Sequence, residues 1–336
     1  MHMADALLSP AVGGTMWAAT AATIVVCSRR LAAERDDRRV PLMGVLGAFL
    51  FAAQMVNFAI PGTGSSGHLG GGLLLAILLG PHAAMLVMAS VLIVQALFFA
   101  DGGLLALGCN VFNLGFIPAF VAYPWVYRRI ATAGAGRGRR AVAAVAAAIV
   151  GLQLGALGVV VETTASGISS LPLPTFLLFM QPIHLAIGVV EGLVTAAIVS
   201  IVAEARPDLL APARPARPAL RPVLAGTLAV ALLTGTVLSS FASKSPDGLE
   251  WAIEHIAGAS PTADASRVHA IASAVQQRTA VLPDYGLPAA PAASAAAPSE
   301  GPDATLGTAV SGFVGALATL GVALLVGLAL RRRPAR

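Results

Sequence analysis

Residues 175–204 read TFLLFMQPIHLAIGVVEGLVTAAIVSIVAE. The run is long and apolar, with one carboxylate, Glu191, before its final residue. A helix crossing a ~30 Å hydrocarbon core needs about 20 mostly apolar residues. This stretch therefore makes the chain a membrane protein, and the rest of the sequence agrees. Of 336 residues, 57% are hydrophobic and 11% charged. An ordinary soluble domain carries about 25% charged residues. The hydrophobicity excludes a disordered chain, and two cysteines exclude a disulfide scaffold.

Working outward, nine segments qualify or nearly qualify as spans: roughly 10–28, 41–60, 69–80, 82–100, 104–127, 141–161, 175–204, 222–242 and 306–330. The third is short and stops at Pro81. It is a short helix, a re-entrant piece, or the first part of a helix kinked into 82–100. The cations give the direction. Eighteen of the 21 Lys and Arg follow spans one, five, seven and nine. They share one side if 69–100 crosses twice. The expectation is an all-α polytopic protein with nine spans, N-terminus outside and C-terminus cytoplasmic, in the cell membrane. These arginines flank span ends and form no basic stripe interleaved with aromatics. The net charge of +5 is thus a topology signal with lipid-headgroup contact, and nucleic acid is excluded as a partner.

RPDLLAPARPARPALRP, residues 206–222, is a Pro/Ala/Arg cytoplasmic linker. It separates a seven-span module, 1–205, from a two-span module, 223–336. Between the last two spans lies an outer segment, 243–305. Its start is helical in character around WAIEHIAG, and its Ala/Pro/Ser-rich second half is expected to be extended or disordered. His255 and His269 lie in this segment and are expected to be solvated. The outer side collects acidic residues, among them Asp5, Asp101, Glu162 and Asp247, which favours the approach of cations.

The start, MHMADALLSP, has no basic n-region, so the first span is expected to be a retained anchor. A free Met1 amine followed by His2 is a ready chelator. The amine, the His2 amide nitrogen and the His2 imidazole can hold one metal in fused rings. Three nitrogens nearly in a plane favour Ni2+ or Cu2+. An accidental Met-His start is the bland alternative. A fourth nitrogen would close the square, and His68 in GTGSSGHLGGG (62–72) is a candidate on the outer side.

Polar residues inside spans cost free energy and usually face the bundle interior. Gln54 and Asn57 lie three apart on the second segment, Gln95 on the fourth, and Asn110 and Asn113 on the fifth. Gln181, His184 and Glu191 fall on one stripe of the seventh. Interhelical hydrogen bonding suits Gln95 and the Asn pair. Asn57, Gln181 and His184 are candidates to buttress a metal ligand. Glu191 is either a proton or cation relay or a hydrogen-bonded structural carboxylate.

Catalytic signatures are missing. There is no G-x-x-x-x-G-K-[ST], no H-E-x-x-H, no G-x-S-x-G and no metal-spaced Cys pair. No enzymatic activity and no resident cofactor are expected.

Several stretches together resemble the membrane substrate-binding components of energy-coupling-factor cobalt/nickel importers, the CbiM/NikM family. They are the Met1-His2 start with Asp5 and Leu8-Ser9-Pro10, VPLMGVLGAFLFAAQMVNF (40–58), SGHLGGGL (66–73), LLGP (78–81), QALFFADGGLLALGCNVFN (95–113) and HLAIGVVEGLVTA (184–196). SPDGLEW (245–251) resembles the PDGLE motif of small two-span accessory subunits, here fused to the first module. The resemblance implies a metal-capturing subunit that takes up Ni2+ or Co2+ through Met1, His2 and His68. SGH in the glycine loop tilts toward nickel. It also implies partners absent from this chain: cytoplasmic ABC-type ATPase subunits and a coupling transmembrane subunit. Met3, Ala6 and Leu7 depart from the family's usual start. The rival reading is an ATP-independent transporter or channel using Glu191 and His184 as its relay.

Overall fold

The computed structural model describes residues 2–34, 39–168, 171–210, 220–257, 266–287 and 302–330. Met1, most of the linker, much of the second half of the outer segment and the C-terminal arginines lie outside them. The described chain is almost entirely helical. Its helices in order are α1 (Pro10–Ala33), α2 (Arg39–Gln54), α3 (Gly72–Leu79), α4 (Pro81–Phe99), α5 (Leu107–Ile130), α6 (Arg137–Ser166), α7 (Leu173–Ala205), α8 (Leu220–Phe241), α9 (Gly248–Ala257), α10 (Arg267–Thr279) and α11 (Pro302–Leu330). Seven of them, α1, α4–α8 and α11, are long and apolar enough to cross a bilayer.

Local chemistry sets the boundaries. Ser9 caps α1 by accepting from the Val12 N–H at 3.4 Å, and Pro10 opens the helix. Pro118 and Pro124 remove two donors from α5, which widens to π-type turns over Phe112–Tyr127.

Of the alternatives for segment 69–80, the short helix is the one present. Only eight of its residues are helical, about 12 Å at 1.5 Å per residue. Gly71 (φ +77°), Gly80 (φ +83°) and Pro81 isolate this short α3 from α4. The second segment also ends early, at Gln54. Asn57 therefore lies beyond α2 and shares no helical face with Gln54.

The two-span module is packed into the same apolar core as the first module. Ala231 of α8, Leu249 and Ala252 of α9 and Ala316 of α11 join Phe51, Phe99 and Met88 there. Small residues allow the approach. Gly44 of α2 faces Leu324 of α11, Gly47 faces Thr319, and Gly235 of α8 meets Gly312 backbone to backbone. A Cβ on Gly312 would overlap the Gly235 carbonyl oxygen. This packing places α10 on the chain's N-terminal strand, and α9 against α7.

Candidate metal site

The site begins with the N-terminal strand, residues 2–8. Apart from a single 3-10 turn over Asp5–Leu7, its backbone has to find hydrogen bonds elsewhere in the fold. Asn110 of α5 clamps Met3 from both sides: its Oδ1 accepts from the Met3 N–H at 2.8 Å and its Nδ2 donates to the Met3 carbonyl at 3.2 Å. The Gly103 N–H donates to the same carbonyl at 2.9 Å. Asp5 Oδ1 accepts from the Ala106 N–H at 2.9 Å. Met3, Leu7 and Leu8 are buried.

The second module closes this strand from above. His269, on α10, is 4% exposed. Its Nε2 lies 2.9 Å from the Leu8 carbonyl oxygen and 3.1 Å from that of Asp5. Its Nδ1 is 2.6 Å from Ser266 Oγ. The expectation of a solvated His269 is corrected, because α10 lies on the N-terminal strand and buries the ring. His255 is exposed, as expected, and stacks on Trp251.

The glycine loop forms the facing wall. A short hairpin of two-residue strands, β1 (Phe58–Ala59) with β2 (Ser66–Gly67), leads into His68. The PDGLE stretch joins its edge, with the Ser66 N–H donating to the Pro246 carbonyl at 2.8 Å and Ser66 Oγ to that of Ser245 at 2.7 Å. Beyond His68, Glu191 of α7 accepts from the Gly70 N–H at 2.7 Å and the Gly71 N–H at 3.1 Å. These are otherwise orphaned donors just before α3. The Gly70 carbonyl accepts from Gln54 Nε2, and Gln54 Oε1 from Gln95 Nε2, both at 2.9 Å.

These walls bring His2 and His68 together. Their rings stack with centroids 5.1 Å apart and 25° between planes. His68 Nδ1 lies 3.1 Å from the Leu69 carbonyl oxygen, so the N–H belongs there and Nε2 keeps its lone pair. Burial pushes the His68 pKa down to about 3. His2 Nδ1 lies 2.9 Å from Asp101 Oδ1, and the buried His2 Nε2 has no partner among the described residues. A fused chelate through the His2 amide uses Nδ1.

Asp101 is itself held from the second module. Tyr285 donates its hydroxyl to Asp101 Oδ2 at 2.5 Å while its ring stacks on Phe99 at 4.9 Å. Burial would raise the Asp101 carboxyl, but His2 and Tyr285 outweigh it and hold the group below the usual carboxylate range. Burial and the Asp101 charge keep Tyr285 protonated, well above its ordinary pKa. Ala100, Asp284 and Tyr285 adopt positive φ, and they are the only non-glycine residues to do so among those described. All three flank the Asp101–Tyr285 bond. Backbone strain is therefore concentrated at this junction.

The His2–His68 pair lies at the edge of an open cavity of about 870 Å3 between the modules, which Asn57, Asp101, Asp247 and Tyr285 also line. Among the described residues, no three His, Cys, Asp or Glu side chains converge as a ligand cluster. A four-coordinate site here needs main-chain nitrogen donors, and Met1 lies outside the described residues. Of the other candidates, Gln181 exchanges hydrogen bonds with Gln153 across α6 and α7 and lines neither that cavity nor the smaller one beside His68. His184 is buried and shares the wall of that smaller cavity with His68. Glu162, read as an outer acid, is instead buried in α6 and accepts from Asn113 at 2.8 Å. The sequence reading passed over Asn110 as a site residue and placed Asp101 only among outer acids. It passed over Tyr285 altogether. Positive φ cannot be read from Ala, Asp or Tyr, but the LPDYG turn (282–286) was a visible signal.

Comparison with known proteins agrees with this architecture. Residues 2–209 match the family described as the cobalt uptake substrate-specific transmembrane region, and residues 221–332 match the PDGLE domain. An Archaeoglobus fulgidus chain, provisionally named fused nickel transport protein NikMN, is 35% identical over 99% of this chain and 98% of its own length. Fused nickel transport protein NikMN of Rhodobacter capsulatus is 36% identical over 65% of this chain and 66% of its own. Cobalt transport protein CbiM of Geobacter sulfurreducens is 33% identical over 63% and 62%. The crystal structure of a truncated transition-metal transporter, 31% identical, superposes with a TM-score of 0.54 over 61% of this chain and 99% of that one.

Proposed function

Since the chain belongs to the cobalt uptake substrate-specific transmembrane family, with a PDGLE domain in the same polypeptide, we propose that it is the metal-capturing membrane subunit of an ATP-driven energy-coupling-factor importer. The ion is Ni2+ or Co2+, with nickel favoured. The observation that carries this reading is the stacked His2–His68 pair at the edge of the cavity between the modules. Two imidazoles suit late first-row divalent ions. The Met1 amine and the His2 amide nitrogen complete the set. On loading, His2 Nδ1 trades Asp101 for the metal.

In this reading the capture module is 1–205, residues 206–222 are the cytoplasmic linker, and 223–336 is the accessory module. The N-terminus faces outside and the C-terminus the cytoplasm. ATP hydrolysis comes from separate ABC-type subunits working through a coupling membrane subunit. Asn57 buttresses the site, whereas the His184 N–H is spent on the Met180 carbonyl and orients neither imidazole. The ATP-independent alternative needs Glu191 as a relay, and that carboxylate is committed to two backbone N–H groups.

The test is nickel uptake in cells supplying the partner subunits. Replacing His2 with Ala, or adding one residue before Met1, should abolish uptake. Undiminished uptake after either change rejects the chelate. Competition with cobalt tests the preference, and nickel uptake unaffected by ATP depletion rejects the coupling.

A further inference from the structure

His68 stands between two spaces. Above it is the open cavity, which His2 lines and His184 does not. Below it is a small gap of about 10 Å3, which His184 lines and His2 does not. His68 and Asp247 line both. The lower gap has room for about one water-sized particle.

The far side of that gap presents an unused nitrogen. His184 is 1% exposed. Its Nδ1 lies 2.7 Å from the Met180 carbonyl oxygen, so the N–H is spent on the helix backbone. Its Nε2 therefore carries the lone pair, is buried, and has no partner among the described residues. A buried polar atom without a partner is costly to the fold. The gap is walled by Gly67, Gly70 and Gly248. A Cβ on Gly248 would lie 2.5 Å from Ile183 Cγ2 and 3.4 Å from His184 Cε1. The glycine of the PDGLE stretch is thus what lets the Asp247 loop reach this depth.

We propose that His184 Nε2 is the next ligand for the transition-metal ion after capture, received across the small gap from His68. The inference rests on the capture reading above and adds a second station within the bundle. A divalent ion leaving a nitrogen-donor site needs another donor of the same kind within reach. Imidazole serves nickel and cobalt alike. Asp247, bordering both spaces, compensates the ion's charge during the passage. The gap is too small for a hydrated ion, so the transfer takes place with the water shell already shed.

The test uses two readouts on the full chain with its native N-terminus: equilibrium nickel binding to purified protein, and nickel uptake in cells supplying the partner subunits. The His184→Ala and His184→Gln variants are expected to bind nickel within about threefold of the wild type and to lose at least about tenfold in uptake. Glutamine fills the space and can still hydrogen-bond, so it covers the case in which alanine fails to fold. Wild-type uptake in the glutamine variant overturns the proposal. So does loss of binding in parallel with uptake in that variant, the signature of a purely structural histidine. If the wild-type chain itself binds no nickel, the capture reading fails first and takes this inference with it.

Discussion

His269 Nε2 lies 2.9 Å from the carbonyl oxygen of Leu8, joining the second module to the strand that begins with the candidate ligand His2. The same nitrogen reaches the Asp5 carbonyl at 3.1 Å. Replacing His269 with Ala leaves both carbonyls without this donor and loosens the strand. Nickel affinity of the purified chain should fall by about 10- to 100-fold, the usual range for a group that orients a ligand. Unchanged affinity would show that the strand is held well enough by Asn110, Gly103 and Ala106.

Asp101 accepts from two sides, so its loss should cost more than the loss of either donor. Tyr285→Phe removes one charge-assisted hydrogen bond, worth about 1.5–3 kcal/mol. Asp101→Asn weakens the acceptor for Tyr285 and His2 together. Thermal unfolding of the metal-free chain should rank wild type above Tyr285→Phe and Tyr285→Phe above Asp101→Asn. The reverse order would mean that the carboxylate is a burden on the fold.

Glu191 separates a structural role from a transport role. The Gln variant keeps the shape but loses the charge that binds the Gly70 and Gly71 N–H groups. Stability should drop by about 1–3 kcal/mol, read as a lower midpoint of thermal unfolding in detergent. An unshifted midpoint together with abolished uptake would instead favour the relay role.

His68 makes stability depend on pH. In the folded chain burial holds its pKa at about 3, whereas an exposed imidazole titrates near about 6.5. Below pH ~6.5 the unfolded chain takes up a proton that the folded chain refuses. The neutral ring's contribution is present above that pH and is lost as pH falls from ~6.5 toward 3. The metal-free wild type should therefore lose thermal stability over this window, and His68→Gln should lose less. Equal pH slopes for the two proteins would refute the assignment.

Gly312 tests the seam between α8 and α11. Its backbone meets that of Gly235, and a Cβ has nowhere to go. Gly312→Leu should destabilise the chain by about 1–3 kcal/mol, the range for overpacking, with nickel affinity falling as α10 lifts away. Calorimetry and a nickel titration on the same sample check both parts.

The helices were legible because each span is an apolar run bounded by arginine, glycine or proline. The exceptions have local causes. Asn57 sits in apolar sequence, yet the chain leaves the helix after Gln54 to form the hairpin that presents His68. Segment 69–80 looked like a weak span because glycine conformation is not a matter of hydropathy. At the site, His2 and His68 stood out by position and glycine context. Asp101 and Tyr285 did not, since their pairing joins residues 184 apart in sequence. His269 was misjudged because α10 has no membrane hydropathy. It is buried by what lies beneath it.

The contact between His269 and the N-terminal strand has a consequence for assembly. Where such an accessory unit is a separate subunit, it has to be made in proportion and found by diffusion. Here it is tethered, so docking is intramolecular and proceeds at an effective concentration set by the connecting chain, of millimolar order for short flexible connections. Every copy of the chain carries its own clamp in one-to-one stoichiometry. Dilution of the protein in the membrane leaves that contact untouched.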